Sequence, residues 1–139
     1  IQSVISQGIK INIQGDLNKL SKELKSVLKR TEKLTKKNKK ITVNLAINYG
    51  SRQEIFYAFR KLKKKVNLKN FKKNLYTKNM PNPDILIRTG GKIRLSNFML
   101  WQLAYAELYF LNKLWPDFQV KDLKRIIENR VCIAYYIIR

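Results

Sequence analysis

Residues 84–118 read DILIRTGGKIRLSNFMLWQLAYAELYFLNKLWPDF, and the fold prediction starts from them. The segment 85–87, Ile-Leu-Ile, is too apolar for a half-exposed strand and therefore predicts a buried one. Arg88 and two glycines follow this strand directly. The whole stretch holds only four lysines and arginines among many aromatic residues. Charge placed so sparingly in an apolar segment indicates a functional site where the strand ends.

Two further strands are predicted upstream of this stretch. Residues 9–13, IKINI, form a β-branched run that is ended by a Gly-Asp turn, and residues 41–47, ITVNLAI, form a second run. Between them, apolar residues from Leu17 to Leu34 recur near a spacing of 3.6, with lysines on the opposite face. This pattern predicts an amphipathic helix that lies on a sheet.

The remaining elements are predicted from similar patterns. A short helix capped by Ser96 is expected after the strand at 85–87, and residues 108–110 predict a further strand. Residues 120–127 predict a last amphipathic helix. The helix after the second strand is predicted to have one apolar face, made of Ile55, Phe59, Leu62 and Val66.

Alternating strands and helices predict an α/β fold, with a parallel β-sheet flanked by helices. Ligands bind beyond the carboxyl ends of the strands in such sheets, so the loops after residues 47 and 87 belong at the binding edge. The length of 139 residues fits one domain that is large enough to bury most of its apolar surface.

Composition narrows the possible functions. The net charge of +21 invites a nucleic-acid partner, but no DNA- or RNA-binding motif supports this, so no nucleic acid is expected. Histidine is absent and Cys132 is the only cysteine, which excludes His-based catalysis, an internal disulfide and a zinc cluster. One cysteine fits a reducing cytoplasm. The apolar run at 98–111 is too short to span a membrane.

The residues of the 84–118 stretch suggest an anion pocket. Arg88, Arg94 and Ser96 surround two glycines at a predicted helix start, where guanidinium groups and free N–H groups can bind a diphosphate or a carboxylate. Alternatively, the arginines pair with local carboxylates and Ser96 is only a helix cap. Glu107 lies in an apolar run, so it is expected either in an internal salt bridge or as a Mg²⁺ ligand.

The pattern DILIRTGG-x-x-R-x-SNFMLWQLAYAELYF, followed by LWPDF, resembles the signature of the cis-prenyltransferases, the undecaprenyl diphosphate synthase (isoprenyl transferase) family. GIKINIQGD at 8–16 and NLAINYGSRQEI at 44–55 resemble the same family. In this comparison residues 1–130 correspond to the C-terminal portion of the family domain, and residues 131–139 form a divergent apolar tail. Lys92 stands where the family has Glu, and Ser51 replaces a glycine.

The resemblance implies a cytoplasmic, homodimeric transferase that needs Mg²⁺ and has a parallel sheet flanked by helices. Such enzymes add isopentenyl diphosphate units to an allylic prenyl diphosphate with cis double bonds, and membrane-surface association would serve product release. By position, Arg88, Arg94 and Ser96 would bind the diphosphate of isopentenyl diphosphate. Glu107 would help to place Mg²⁺.

The family's N-terminal segments, including its catalytic aspartate motif, are absent from these 139 residues. No catalytic residue of the family is therefore expected here, and the sheet is expected to be incomplete with an exposed, aggregation-prone edge. The expected molecule is an inactive fragment of an isoprenyl transferase. The alternatives are a non-catalytic partner subunit of a complete synthase and, ranked last, a basic nucleic-acid-binding protein.

Overall fold

The computed structural model describes residues 2–62 and 66–133, with side chains described as far as Asn129. The chain forms two compact units, and each contains one pair of hydrogen-bonded strands. The first unit comprises the chain up to Pro81 together with Asn97–Trp101. The second unit comprises Asn82–Ser96 and the chain from Gln102 onward.

The first unit has two parallel strands and the helices around them. Its elements in chain order are α1 (Gln2–Ser6), β1 (Ile9–Gln14), α2 (Lys22–Thr35), β2 (Ile41–Ala46), α3 (Ser51–Arg60) and α4 (Leu68–Lys72). Ile9 lies opposite Ile41, and Gln14 lies opposite Ala46. The amphipathic helix α2 packs against β1, as its apolar spacing predicted.

The turns after β1 and β2 are tied to each other. Gly15 leaves β1 with a φ of 113°, a conformation that favours glycine. The backbone N–H of Asp16 donates to the carbonyl oxygen of Asn48 at 3.3 Å, and the Asn48 side-chain amide donates to the carbonyl oxygen of Asp16 at 2.8 Å. Both loops therefore meet at the carboxyl edge of this strand pair.

The second unit contains the predicted strand of the 84–118 stretch. β3 (Ile85–Arg88) pairs in parallel with β4 (Glu107–Phe110), and α5 (Val120–Ile133) follows. The carboxylate of Asp122 accepts hydrogen bonds from Lys113 Nζ at 2.8 Å and from the backbone N–H of Gln119 at 2.8 Å. The ion pair thus fixes the first turn of α5 to the segment after β4.

The parallel α/β fold class is confirmed, but three local predictions are wrong. Hydrogen bonding pairs the four described strands into two separate two-stranded sheets instead of one. Residues 96–101 form turns instead of a helix capped by Ser96. The buried face of α3 consists of Ser51, Glu54 and Ala58, whereas Phe59 is 61% exposed. Of the predicted divergent tail, residues 134–139 lie outside the described residues.

Much apolar surface stays exposed, contrary to the expectation from length. Ile41 and Leu45 of β2 are 54% and 40% exposed, and the exposed fraction of Trp115 is 72%. The buried apolar residues among those described are Ile11, Ala58, Leu75, Leu103 and Ile126. Apolar area that remains in water contributes nothing to stability, so the buried polar contacts described below carry more weight. Among the described residues, no helix is long and apolar enough to cross a membrane.

Candidate functional site

A pocket of about 770 Å³ lies at the carboxyl ends of β1 and β2, in the first unit. Its walls are the loops after both strands, one side of α3, and segments near Tyr76 and Asn97. Tyrosines, amide side chains and three cations line it, the cations being Lys19, Arg60 and Lys61. The prediction that the loop after residue 47 borders a binding edge agrees with this position.

A buried carboxylate binds two of the tyrosines that line this pocket, Tyr49 and Tyr76. Glu54 is wholly buried on α3. Its carboxylate accepts hydrogen bonds from the Tyr49 hydroxyl at 2.5 Å and from the backbone N–H of Tyr76 at 2.8 Å. Burial, and next the hydrogen bond to Glu54, raise the pKa of Tyr49 above its ordinary value. Glu54 thereby joins three segments of the first unit, because a buried charge must keep its hydrogen bonds.

The segment 97–100 caps the amino end of α3. The N-cap residue Gly50 has no side chain to do so. Instead, the backbone N–H groups of Ser51 and Arg52 donate to the carbonyl and side-chain oxygens of Asn97, both at 2.8 Å. The buried Ser51 hydroxyl accepts from the backbone N–H of Leu100 at 2.9 Å. The two contacts of Asn97 satisfy the first helical N–H groups, and the Ser51 hydroxyl adds a third contact with the same segment.

Replacing Tyr49 with phenylalanine should change how stability depends on pH. At pH 8 we expect Tyr49→Phe to lower the unfolding free energy by about 1 kcal/mol, because Glu54 loses a hydrogen-bond donor. The raised pKa means that the folded state disfavours the phenolate, so the stability contributed by Tyr49 is lost as pH rises above 10. The difference between wild type and variant should therefore narrow above pH 10.

Urea denaturation at pH 8 and pH 10.5 measures this difference. Tyr57→Phe is the control, since it removes a hydroxyl from the same pocket wall but keeps the ring, and it should change the unfolding free energy by less than about 0.5 kcal/mol. If the difference in unfolding free energy between wild type and Tyr49→Phe stays constant or grows above pH 10, the raised pKa of Tyr49 in the folded state is contradicted.

The second unit brings Arg88 and Ser96 together. Arg88 ends β3, and its guanidinium donates to the Ser96 hydroxyl oxygen at 2.9 Å and to the carbonyl oxygen of Arg94. The Arg94 side chain is exposed. Gly90 and Gly91 between them have φ values of 89° and 69°. Their N–H groups donate to the carbonyl oxygens of Lys113 and Leu111, both at 2.9 Å.

Left-handed turns replace the helix that was expected after Ser96. Ser96, Asn97 and Met99 have φ values of 49°, 63° and 47°. A helix dipole and free helical N–H groups therefore do not contribute to an anion site at this point. An anion site at this point would depend on the guanidinium groups of Arg88 and Arg94.

Glu107 lies at the other end of the strand pair. It is the first residue of β4 and lies opposite Ile85, whereas Arg88 lies opposite Phe110. At about 3.3 Å per residue, this separates Glu107 from Arg88 by roughly 10 Å along the strands. The half-buried carboxylate accepts a hydrogen bond from the Tyr109 hydroxyl at 2.8 Å.

The donor set can be compared with what Mg²⁺ requires. No group of three or more acidic, histidine or cysteine residues that could hold a metal occurs among the described residues. Mg²⁺ commonly uses one or two carboxylates and completes its ligands with phosphate oxygens and water. Glu107 fits such a site as the one protein ligand, provided that a diphosphate supplies the others.

The sequence did not predict the contacts of Glu54, Tyr76 and Asn97 at this pocket. Glu54 could have been noticed, because it lies three residues after Ser51 and four before Ala58 and so shares a helix face with small residues. Asn97 bonds Arg52 across 45 positions, and Tyr76 bonds Glu54 across 22. A short sequence pattern cannot predict hydrogen bonds between residues so far apart in the chain.

Similarity to known proteins covers nearly the whole chain. The sequence model of the prenyltransferase family described as undecaprenyl diphosphate synthase matches residues 1–130. The chain is 40% identical over 132 residues to an isoprenyl transferase of Fusobacterium nucleatum, covering 92% of this chain and 57% of that protein. It is 44% identical over 133 residues to an isoprenyl transferase of Rickettsia prowazekii, covering 93% and 59%. The chain thus spans less than two thirds of these relatives.

Two solved structures agree with these relatives. A "probable undecaprenyl diphosphate synthase" from Campylobacter jejuni aligns with a TM-score of 0.78 at 36% identity, covering 89% of this chain and 60% of the other. Lavandulyl diphosphate synthase from Lavandula x intermedia, solved in complex with dimethylallyl diphosphate, aligns with a TM-score of 0.86 at 36% identity. That alignment covers 94% of this chain and 61% of the other.

Proposed function

This chain belongs to the undecaprenyl diphosphate synthase family of cis-prenyltransferases, and we propose that its second unit binds the diphosphate of isopentenyl diphosphate for isoprenyl transfer. The observation that carries this proposal is the hydrogen bond from the Arg88 guanidinium to the Ser96 hydroxyl at the carboxyl end of β3. This hydrogen bond places a cation and a hydroxyl together at the carboxyl end of a parallel strand, where ligands bind in such sheets.

The surroundings of Arg88 suit a diphosphate. A guanidinium can bind two phosphate oxygens with parallel, charge-assisted hydrogen bonds. The exposed Arg94 adds a second cation, and Lys92 lies in the same loop. A methyl group at Gly90 would meet nothing within 4 Å, so a ligand has room to approach the backbone there. These features favour a doubly charged head group over a single carboxylate.

Glu107 is proposed to hold Mg²⁺ together with the diphosphate of the allylic substrate, since it lies at the other end of the strand pair from Arg88. Such an ion would neutralise part of the charge of the allylic diphosphate, the group that leaves in prenyl transfer. The chain's own contribution is to hold the carboxylate in place, and the Tyr109 hydroxyl does this at 2.8 Å. Arg88, Arg94 and Ser96 bind and orient the substrate head group.

The other participants follow from the family. We expect an allylic prenyl diphosphate as second substrate, a second subunit in a homodimer, a cytoplasmic location, and contact with the membrane surface on product release. The bound dimethylallyl diphosphate of the lavender enzyme supports a prenyl diphosphate as ligand of this fold. A non-catalytic role beside a complete synthase is the alternative, and it predicts the same head-group binding without turnover.

Calorimetric titration with isopentenyl diphosphate tests the proposal. With Mg²⁺ present, we expect saturable binding to the 139-residue chain, and weaker binding of isopentenyl monophosphate, because it offers fewer charged oxygens to the two arginines. Equal affinity for both compounds would contradict diphosphate recognition. A parallel assay with radiolabelled isopentenyl diphosphate and farnesyl diphosphate measures turnover, and polyprenyl product would overturn the expectation of inactivity.

A further inference from the structure

Side chains that follow each other along α2 and its C-terminal turn bind the backbone of β1. The backbone N–H of Ile11 donates to the Thr35 hydroxyl oxygen at 3.1 Å, and the N–H of Ile13 donates to Glu32 Oε1 at 2.7 Å. The Asn38 side-chain amide donates to the carbonyl oxygen of Ile9 at 2.7 Å. Three alternate residues of β1 are therefore bonded by side chains instead of by a strand.

These contacts lie on the edge of β1 that faces away from β2. The ladder to β2 continues with the carbonyl of Gln14, which accepts from Ile47, and with the N–H of Asp16, which donates to Asn48. Backbone groups along a strand point alternately to its two sides, so those of Ile9, Ile11 and Ile13 point outward. An outer edge of this kind is normally available to another chain.

Their spacing and local hydrogen bonds position Glu32, Thr35 and Asn38 against β1. They recur at intervals of three, which keeps them on one side of the helix and its terminal turn. Thr35 is wholly buried, and its hydroxyl donates to the carbonyl oxygen of Thr31 at 2.9 Å while accepting from Ile11. The N–H of Asn38 donates to the carbonyl oxygen of Thr35 at 3.0 Å.

We infer that Glu32, Thr35 and Asn38 form an edge latch, which prevents β1 from pairing with β1 of a second copy of this chain. The strand itself, IKINIQ, is rich in β-branched residues, contains no proline, and carries a single charge at Lys10. Such short segments pair readily when their edge is free. The outer edge of β1 is thus occupied by side chains.

The net charge of +21 also bears on this association. Two copies repel each other strongly at low ionic strength, and salt screens that repulsion over a Debye length of about 8 Å at 0.15 M. An opened edge should therefore cause self-association mainly at moderate salt. Association through the edge should therefore increase with salt, whereas association through opposite charges should decrease, because salt weakens their attraction.

The double variant Glu32→Ala/Thr35→Val tests the latch, because it removes both acceptors. We expect amide exchange of Ile11 and Ile13, measured by NMR, to accelerate about tenfold or more relative to Ile47, whose N–H bonds β2 to Gln14 at 2.8 Å. Sedimentation velocity at 0.15 M salt should then show concentration-dependent species larger than those of the wild type, in which the edge stays closed.

Two variants serve as controls. Glu32→Gln keeps an oxygen acceptor and should preserve the protection of Ile13, and Lys33→Ala changes the neighbouring exposed position and should do the same. Thr35→Val alone serves if the double variant does not fold. If the amide exchange rates of Ile11 and Ile13 relative to that of Ile47 are the same in the double variant as in the wild type, the edge latch is overturned. An opened edge without any association beyond that of the wild type would overturn pairing between copies of β1.

Discussion

Gly15→Ala should lower the unfolding free energy of the first unit by about 4 kcal/mol, the largest stability loss expected from a single substitution here. Gly15 has a φ of 113°, which an L side chain rarely adopts. An added methyl group would lie 2.1 Å from the carbonyl oxygen of Ile47 and 3.1 Å from its carbon. These are backbone atoms, so the clash cannot be relieved by rotating a side chain.

Relief would require the two loops at the pocket to move apart. The N–H group of Ile47 donates to the carbonyl oxygen of Gln14 at 2.8 Å. Next to this bond, the N–H group of Asp16 donates to the carbonyl oxygen of Asn48 at 3.3 Å. We therefore expect both the ladder end and the neighbouring pocket to be disturbed. Urea denaturation followed by circular dichroism measures the loss.

Gly8→Ala is the matched control for Gly15→Ala. Gly8 lies in the same unit with a φ of 71°, but an added methyl group there would meet only side-chain atoms, the nearest being Cβ of Lys40 at 3.1 Å. We expect a loss of about 1 kcal/mol, mainly from the backbone conformation. Similar losses for the two variants would show that the contact with Ile47 is not what determines the need for glycine at 15.

Arg88→Ala should weaken the binding of isopentenyl diphosphate by about 100-fold, which corresponds to the loss of strong charge-assisted hydrogen bonds. The substitution removes the guanidinium that contacts the hydroxyl of Ser96 and the carbonyl of Arg94. Its effect on folding should be small, because Arg88 is only half-buried at the end of β3. Calorimetric titration in the presence of Mg²⁺ measures the affinity.

Two substitutions define what the guanidinium contributes. Arg88→Lys keeps the charge but loses the planar pair of donors, so an intermediate loss of about tenfold is expected. Lys92→Ala removes an exposed cation from the same loop and should cost less than about threefold, since water and salt screen it. If Lys92→Ala weakens binding as much as Arg88→Ala, the affinity arises from general positive charge and the proposed site is wrong.

The elements of the fold could be predicted because their signals are local. The β-branched runs at 9–13 and 41–47 and the apolar strand at 85–87 were found within one or two residues of β1, β2 and β3. The helix on β1 followed from its apolar spacing. The motif around Arg88 was sufficient to identify the family and to choose the residues at the proposed diphosphate site.

Other predictions failed where contacts between distant residues override local preference. Ser96 is a good helix cap by type, yet it adopts a left-handed turn, and the residues after it cap α3 instead. Phe59 was assigned to the apolar face of its helix by spacing alone, but it is 61% exposed. In the structure Glu54 lies on the buried face of α3 instead, because Tyr49 and the backbone of Tyr76 supply the hydrogen bonds that a buried carboxylate needs.

The sequence by itself determined the four strands, the helices α2, α3 and α5, and the family to which the chain belongs. These properties depend on side chains a few residues apart, which periodicity and turn chemistry report directly. Only the tertiary structure decided that Glu54 would be buried, that Asn97 would cap α3, and that α2 would close the edge of β1. A buried polar group is stable only beside its partner, and that partner is brought near by the fold, not by the spacing of residues along the chain.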